Sequence, residues 1–456
     1  MSEAVTRGSA VTSEGTNVFF RDVRRYHPVI VRGDGVYLFD RDGRRYIDGC
    51  SGSLVANIGH GVKEIAAVLG AQAERVAFTH LSRFASEPVI ELSRKVARLA
   101  PGDLDRVYMV SGGSEGTETA AKMARQYFLE RDGKSSKHKV IGRWYSFHGN
   151  TLGALSMTGH VPRRRRFDPM LIDFPHVAAA YCYRCAFSRS YPGCDLECAR
   201  DLERGIQRVG PENVAAFIAE PVVGAASGAL VPPPEYFPLV REICDRYDVL
   251  FIDDEVMAGF GRTGKYFAID HWGVIPDIIV AAKGMSAGYI PLGAVIARAG
   301  IHDAFLNGSG KFVHGHTYGG NPLACAVGCA VLDYLERERV VERAAEAGEY
   351  LLERLGGLKR HRIVGDVRGL GLMCGIEFVR DKPKKLPFDP QLGAGELFTV
   401  LALERGAVVY PGSGTYNGVA GDHVLIGPPL TISRPEIDEL VDILDQAAEE
   451  AGRRLP

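Results

Sequence analysis

The sequence predicts an α/β fold in which a large, mostly parallel sheet is joined to a smaller α+β domain built from both chain ends. Three observations carry this. Apolar runs of strand length alternate with helical stretches through the middle of the chain, the rhythm of βα units feeding a parallel sheet covered on both faces. β-rich pieces broken by Gly-Asp turns precede that region, and an α+β pattern follows it. The 456 residues are 46% hydrophobic and 24% charged, which suits a globular enzyme and excludes disorder or a collagen-like repeat.

Residues 1–15 are small and polar and are expected to fray. From Val29 to Asp48, Gly33-Asp34-Gly35 and Asp42-Gly43 punctuate a small antiparallel meander. Alternation then sets in. Strands are expected at Arg106–Val110, Val140–Trp144, Val214–Ala219, Val249–Asp253 and Asp277–Ala282, with helices over Glu115–Arg131 and Glu235–Tyr247. In the first helix Ala120, Met123/Ala124 and Tyr127/Phe128 form one stripe, and Gly133 ends it. Beyond a helix from Pro322 to about Glu338 come a helix over 340–356, a Gly-broken strand region at 364–379 and a helix over 394–405. Ser433, Pro435 and Glu436 mark the start of a closing helix by their capping pattern. The expected division is 1–60 for the first part of the small domain, 61–330 for the large domain with a Cys-rich insertion near 181–199, and 331–456 for the rest of the small domain.

Charge and composition narrow the function. A net charge of −2 offers no field for nucleic acid. No run of about 18 apolar residues exists to span a membrane. The start, MSEAVTRGSAVTSEG, has no apolar core of a secretory signal, and nine cysteines, an odd number, suit a reducing compartment. A cytoplasmic enzyme is expected.

Four constellations fall at the ends of expected strands, where open α/β sheets bind ligands. Ser111-Gly112-Gly113-Ser114-Glu115 leaves bare N–H groups at a helix start, which suits an anion, although a plain glycine turn with Ser114 as N-cap has the same pattern. Phe147-His148-Gly149 offers an aromatic face, or equally a buried ring and a structural histidine. Asp253-Asp254-Glu255 places acids at a strand end, and alternation puts Asp253 and Asp254 on opposite faces. Gly259, Gly261 and Gly264 behind them spell a dinucleotide fingerprint, but no long helix follows, so the match is a decoy. Lys283 closes an apolar strand, a costly place for an amine unless it snorkels out or forms a Schiff base with a carbonyl cofactor. Anion cradle, aromatic, acid and lysine in this order are the parts that pyridoxal 5′-phosphate requires.

The block Asp254-Glu255-Val256-Met257-Ala258-Gly259-Phe260-Gly261-Arg262-Thr263-Gly264, Lys283 after it, and His314-Gly315-His316-Thr317-Tyr318-Gly319-Gly320-Asn321-Pro322 resemble the class III aminotransferases. These are fold-type-I pyridoxal-phosphate enzymes that include the ω-transaminases, and the likeness runs from about Val29 to the C-terminus. The resemblance implies a seven-stranded-type sheet and a transaminase moving an amino group from an amine or amino acid to a keto acid or aldehyde by a ping-pong route. It implies Lys283 as the lysine that condenses with the cofactor and Asp254 as partner of the pyridine nitrogen. Val256 and Phe147 are implied on the two ring faces, His148 beside them, and Gly113 and Ser114 on the phosphate. The resemblance further implies Glu220 near the cofactor's hydroxyl side and the substrate, and Thr317 reaching the phosphate of the neighbouring subunit's cofactor in a homodimer or a dimer of dimers. Decarboxylating or racemising chemistry on the same fold, a nicotinamide oxidoreductase and a noncatalytic binding protein are the alternatives.

Three positions depart from the family pattern. Met257 stands where many members have Gln, Leu54 where many ω-transaminases have Trp, and Ala420 where many carry an arginine that receives a substrate carboxylate. Arg83, Arg262 and Arg434 are the candidates to replace that arginine, while Arg163–Arg166 reads as a solvated basic run. Separately, Cys182, Cys185, Cys194 and Cys198 have spacings that suit a structural zinc or an iron–sulfur cluster, or four reduced thiols in a loop.

Overall fold

The structure, a computed structural model, describes residues 10–133 and 136–456. Its centre is a seven-stranded sheet in the order Leu104–Val110, Gly293–Arg298, Ile278–Ala281, Leu250–Asp254, Val214–Ala219, Lys139–Arg143, His176–Val177. Every pairing is parallel except the two made by Gly293–Arg298. Val214–Ala219, Leu250–Asp254 and Ile278–Ala281 are buried along their whole length, which is why their sequences run apolar rather than alternating, up to the two acids that end Leu250–Asp254.

Alternate residues feed two cores. Ile218, Ile252, Ile278 and Val280 pack with Ala120, Met123, Ala124 and Phe128 of the Gly113–Asp132 helix, the stripe its sequence shows. Phe217, Phe251 and Ile279 face the other way, against Phe237, Val240 and Ile243 of the Tyr236–Arg246 helix. Phe251 stacks between Phe217 and Phe237, with ring centroids 6.1 and 5.8 Å away.

Both chain ends meet in the smaller sheets. The meander Ile30–Asp34, Tyr37–Asp40, Arg45–Asp48 is completed by Ala407–Val408, which pairs parallel to Arg45–Asp48. Val364–Leu370, Met373–Phe378, Ala420–Ile426 and Tyr410–Tyr416 form an antiparallel sheet in that order. The closing helix, Arg434–Arg454, starts with the expected capping box, in which the Ser433 N–H donates to Glu436 Oε2 at 2.7 Å.

The fray expected over residues 1–15 does not hold for the part that is described. Residues 1–9 lie outside the described residues, while Val11 and His27 exchange backbone hydrogen bonds and Ser13–Gly15 forms a helical turn. Several elements go unnamed in the sequence reading, among them the helices Lys63–Arg75, Glu87–Leu99 and Glu197–Val209, and two strand elements show why. Gly293–Arg298 enters the sheet antiparallel with no helix before it, so the βα rhythm does not announce it. The hairpin at 410–426 is glycine-rich and shows no sustained apolar alternation; Asn417 and Gly418, both at positive φ, turn it. The glycines 259, 261 and 264 lead only to the short turn Ala268–Trp272. Gly264 is a packing position, since a Cβ there would sit 2.7 Å from that of Ala345. No helix among the described residues is long and apolar enough to cross a membrane.

Candidate active site

The loops after the parallel strands bring Phe147, His148, Glu220, Asp254 and Lys283 to one edge of the sheet. Asp254 is the last residue of its strand and is buried. Its Oδ2 accepts from His148 Nδ1 at 2.7 Å, and its Oδ1 accepts the Val256 N–H at 3.1 Å. His148 is fixed in turn: its N–H donates to Thr158 Oγ1 at 2.9 Å, and its carbonyl accepts from Thr117 Oγ1 at 2.8 Å. The far nitrogen, Nε2, is buried without a partner. Asp253 points away from this pair, fully buried near Glu255. Burial lifts both carboxyls, Glu255 to about 8 and Asp253 well above the usual range. Of the two neighbours, Asp254 is the one that faces His148.

Glu220 follows the Val214–Ala219 strand directly. Burial raises its carboxyl to about 7, Asp254 adds to the rise, and His148 and Arg143 oppose it. Its Oε2 accepts the Phe147 N–H at 3.3 Å, and its carbonyl accepts from Arg143 at 2.5 Å. Lys283 stands two residues past Ile278–Ala281, in the left-handed region at φ 45. The residue as a whole is only partly buried. Burial of its ammonium nevertheless pushes it down to about 8; Asp254 and Glu220 pull it back up, while Arg163 and Arg262 add to the depression.

The anion cradle begins a 20-residue helix, Gly113–Asp132, whose N-terminus no side chain caps. Ser114 therefore lies inside the first turn rather than at the cap. A Cβ on Gly113 would sit 2.7 Å from Val256 Cγ1, and one on Gly149 2.6 Å from Ser114 Oγ. Only glycine permits that closeness. Ser114 Oγ donates to Asn150 Oδ1 at 2.8 Å and accepts the Asn150 N–H at 3.1 Å. An uncapped helix start, a buried carboxylate oriented by histidine, and a lysine of depressed basicity fit the phosphate, ring nitrogen and aldehyde of pyridoxal phosphate. Thr317 is exposed, on a loop tied down by His316 to Ser111 and by His314 to Thr119.

Of the three arginines put forward for a carboxylate, Arg262 and Arg434 are engaged by other groups and Arg83 lies at the surface. Arg262 is fully buried and donates to the carbonyls of Leu372 and Pro428 and to Asn57 Oδ1. Arg434 lies over the Tyr350 ring at the start of the closing helix, and Arg83 is exposed in a surface turn. Leu54 and Met257 join one apolar cluster with Val222, Ala225 and Leu425, against which Tyr410 packs. Ala420 opens the second strand of the hairpin. The basic run is not a solvated loop throughout: Arg163 and Arg164 are half-buried. Arg164 donates to the Thr158 carbonyl at 2.7 Å, whereas Arg163 lies over the Phe147 ring at 4.2 Å. Sequence reading misses Arg163 because four consecutive arginines look alike until a fold separates them.

The cysteine expectation is corrected. Cys182, Cys185, Cys194 and Cys198 line one cavity of about 20 Å³, and all four are free thiols. Among the described residues no three His, Cys, Asp or Glu gather closely enough to hold a metal ion, so neither zinc nor an iron–sulfur cluster is supported. A thiolate set must shed its protons to bind metal, and here burial raises the Cys198 thiol to about 11.

Comparison with known proteins agrees with this geometry. A model of the family described as aminotransferase class-III matches residues 19–448. A probable aminotransferase of Mycobacterium tuberculosis is 42% identical, over 94% of this chain and 91% of its own length. A putrescine–pyruvate aminotransferase of Pseudomonas aeruginosa is 37% identical, over 92% of this chain and 91% of its own. The crystal structure of an (S)-enantioselective ω-transaminase from Thermomicrobium roseum superposes with a TM-score of 0.88 at 40% identity, covering 94% of this chain and 93% of that one. The chain belongs to the class III aminotransferases, the pyridoxal-phosphate-dependent transaminases of fold type I.

Proposed function

We propose that Lys283, Asp254 and Glu220 carry the transamination, within a cofactor site formed by Gly113, Ser114, Phe147, His148 and Val256. What supports this assignment above all is the meeting of the Asp254–His148 pair, Glu220 and Lys283 past the ends of adjacent parallel strands. Pyridoxal phosphate, when bound, supplies the carbonyl that carries the amino group and the electron sink that tolerates carbanion charge.

The chain's own groups do the rest. The uncapped N–H groups at Gly113 and Ser114 hold the phosphate. Asp254 holds a proton on the ring nitrogen and is kept in position by His148 Nδ1. Val256 and Phe147 cover the ring and exclude water. Lys283 Nζ, already about half neutral near pH 8, would take the proton from the amine-bearing carbon of the donor and deliver it, as general acid, to the former carbonyl carbon on the other side of the shared nitrogen. Glu220, with its carboxyl near 7, sits toward the substrate. Donor product leaves before acceptor enters, which makes the kinetics ping-pong.

A homodimer is the smallest competent unit under this assignment, with Thr317 serving the site of the second copy. Thr317 is exposed, and its neighbour Tyr318, also exposed, meets the exposed Phe78 ring edge-on at 6.0 Å; exposed apolar groups that gather in this way suit an association surface.

Lys283→Ala tests the assignment. Loss of a positioned acid–base group costs on the order of 10² to 10⁴ in rate, so turnover should fall at least that far while circular dichroism stays unchanged. Turnover at the normal rate would remove Lys283 from its role. The same preparations should show the mass of two chains by light scattering, and a single-chain mass would refute the dimer.

A further inference from the structure

A transaminase that accepts keto acids needs a cation for the acceptor's carboxylate, and the hairpin supplies only Ala420. The fold brings a different one. The turn Val161–Arg164 docks on the hairpin strand Tyr410–Tyr416: His160 Nε2 donates to the Ser413 carbonyl at 2.8 Å, and a Cβ on Gly414 would sit 2.7 Å from Pro162.

From this turn Arg163 reaches back across the site. Its guanidinium lies 4.2 Å over the Phe147 ring, and Nη2 donates to the Tyr410 hydroxyl at 3.1 Å. Phe147 is bonded through its N–H to Glu220, and Tyr410 packs on the cluster holding Leu54 and Met257. Arg163 thus spans from the aromatic beside the cofactor groups to the apolar wall of the substrate side.

Two anchors fix the side chain, and no carboxylate among the described residues pairs with it. Its neighbour Arg164 differs, being spent on backbone carbonyls and on Asp168. A stacked guanidinium presents its N–H groups in the ring plane, and with one Nη2 donor given to Tyr410 the others remain to meet a planar anion. Two histidines that feel its charge do not compete: burial lowers His160 to about 4 and His423 to about 3, with the charge of Arg163 lowering both further. That charge also reaches Lys283.

We propose that Arg163 receives the carboxylate of an α-keto acid or α-amino acid substrate, doing from the 161–164 turn what position 420 does not. The proposal rests on the transaminase assignment and names a specificity residue within it.

The test compares two acceptors in the second half-reaction, pyruvate and an aldehyde of similar size without a carboxylate. In Arg163→Gln the ratio of kcat/KM for pyruvate to that for the aldehyde should fall about 10- to 100-fold, the worth of a charge-assisted hydrogen bond. Arg163→Lys should recover part of the ratio, because charge returns without the fork. Competitive inhibition by 3-phenylpropionate, which cannot react, should weaken by a similar factor in Arg163→Gln. An unchanged ratio, or equal loss for both acceptors with undiminished 3-phenylpropionate inhibition, would overturn the role of Arg163. Failure of wild-type enzyme to aminate any keto acid would instead strike the transaminase assignment itself.

Discussion

Lys283 sits under opposed pressures, and their balance sets its chemistry. Burial of the ammonium favours the neutral amine, while Asp254 and Glu220 favour the charged one. The result, about 8, lies below the roughly 10.4 of a free lysine. In cofactor-free enzyme, arylation of Lys283 by a small reagent should therefore rise with pH through a midpoint near 8. The sign follows from burial: a lowered pKa exposes the nucleophilic amine at lower pH, and protonation protects it below the midpoint. Peptide mapping of the labelled site reads the titration, and a midpoint near 10 would contradict the electrostatics described. Residue-scale legibility in the sequence was uneven. Asp254 and Lys283 stand in a specific motif, but strand alternation alone left the two aspartates equivalent, and only the fold shows that Asp254 is the one bonded to His148, at 2.7 Å. Arg163 had no signal of its own, because its meaning lies in Phe147 and Tyr410, one sixteen residues before it and one on a distant hairpin.

At the scale of elements, the Gly113–Asp132 helix links fold to site. Its apolar stripe docks it on the sheet, and its first residue meets Val256 so closely that a side chain has no room. Gly113→Ala should therefore overpack the contact and destabilise by about 1–3 kcal/mol. A lower thermal midpoint together with faster cofactor loss on dialysis is expected; wild-type values for both would mean the contact yields freely. Strands buried on both faces and this helix were legible because continuous apolar runs and a 3.6-residue period are local signals. Gly293–Arg298 and the 410–426 hairpin were not. Each takes its identity from a neighbour far away in sequence, Gly293–Arg298 from Leu104–Val110 and the hairpin from Met373–Phe378.

For the whole molecule, topology converts weak local patterns into one site. Glu220, Asp254 and Lys283 follow three successive parallel strands, so a sheet of this order must collect them at one edge. Their order in the chain was enough to suggest the cofactor before any contact was visible. The four cysteines show the converse: spacing alone suggested a metal, whereas the fold leaves them as free thiols around a small cavity. The central claim is that this edge moves amino groups in two separate half-reactions. The most direct measurement is the visible absorbance of the cofactor-loaded enzyme, first with an amine donor alone and then with a keto acid added. Transamination predicts that the yellow absorbance bleaches with the donor, with release of a carbonyl product, and returns when the keto acid is supplied. A yellow enzyme whose absorbance no amine donor bleaches, across a panel of amines and amino acids, would contradict it.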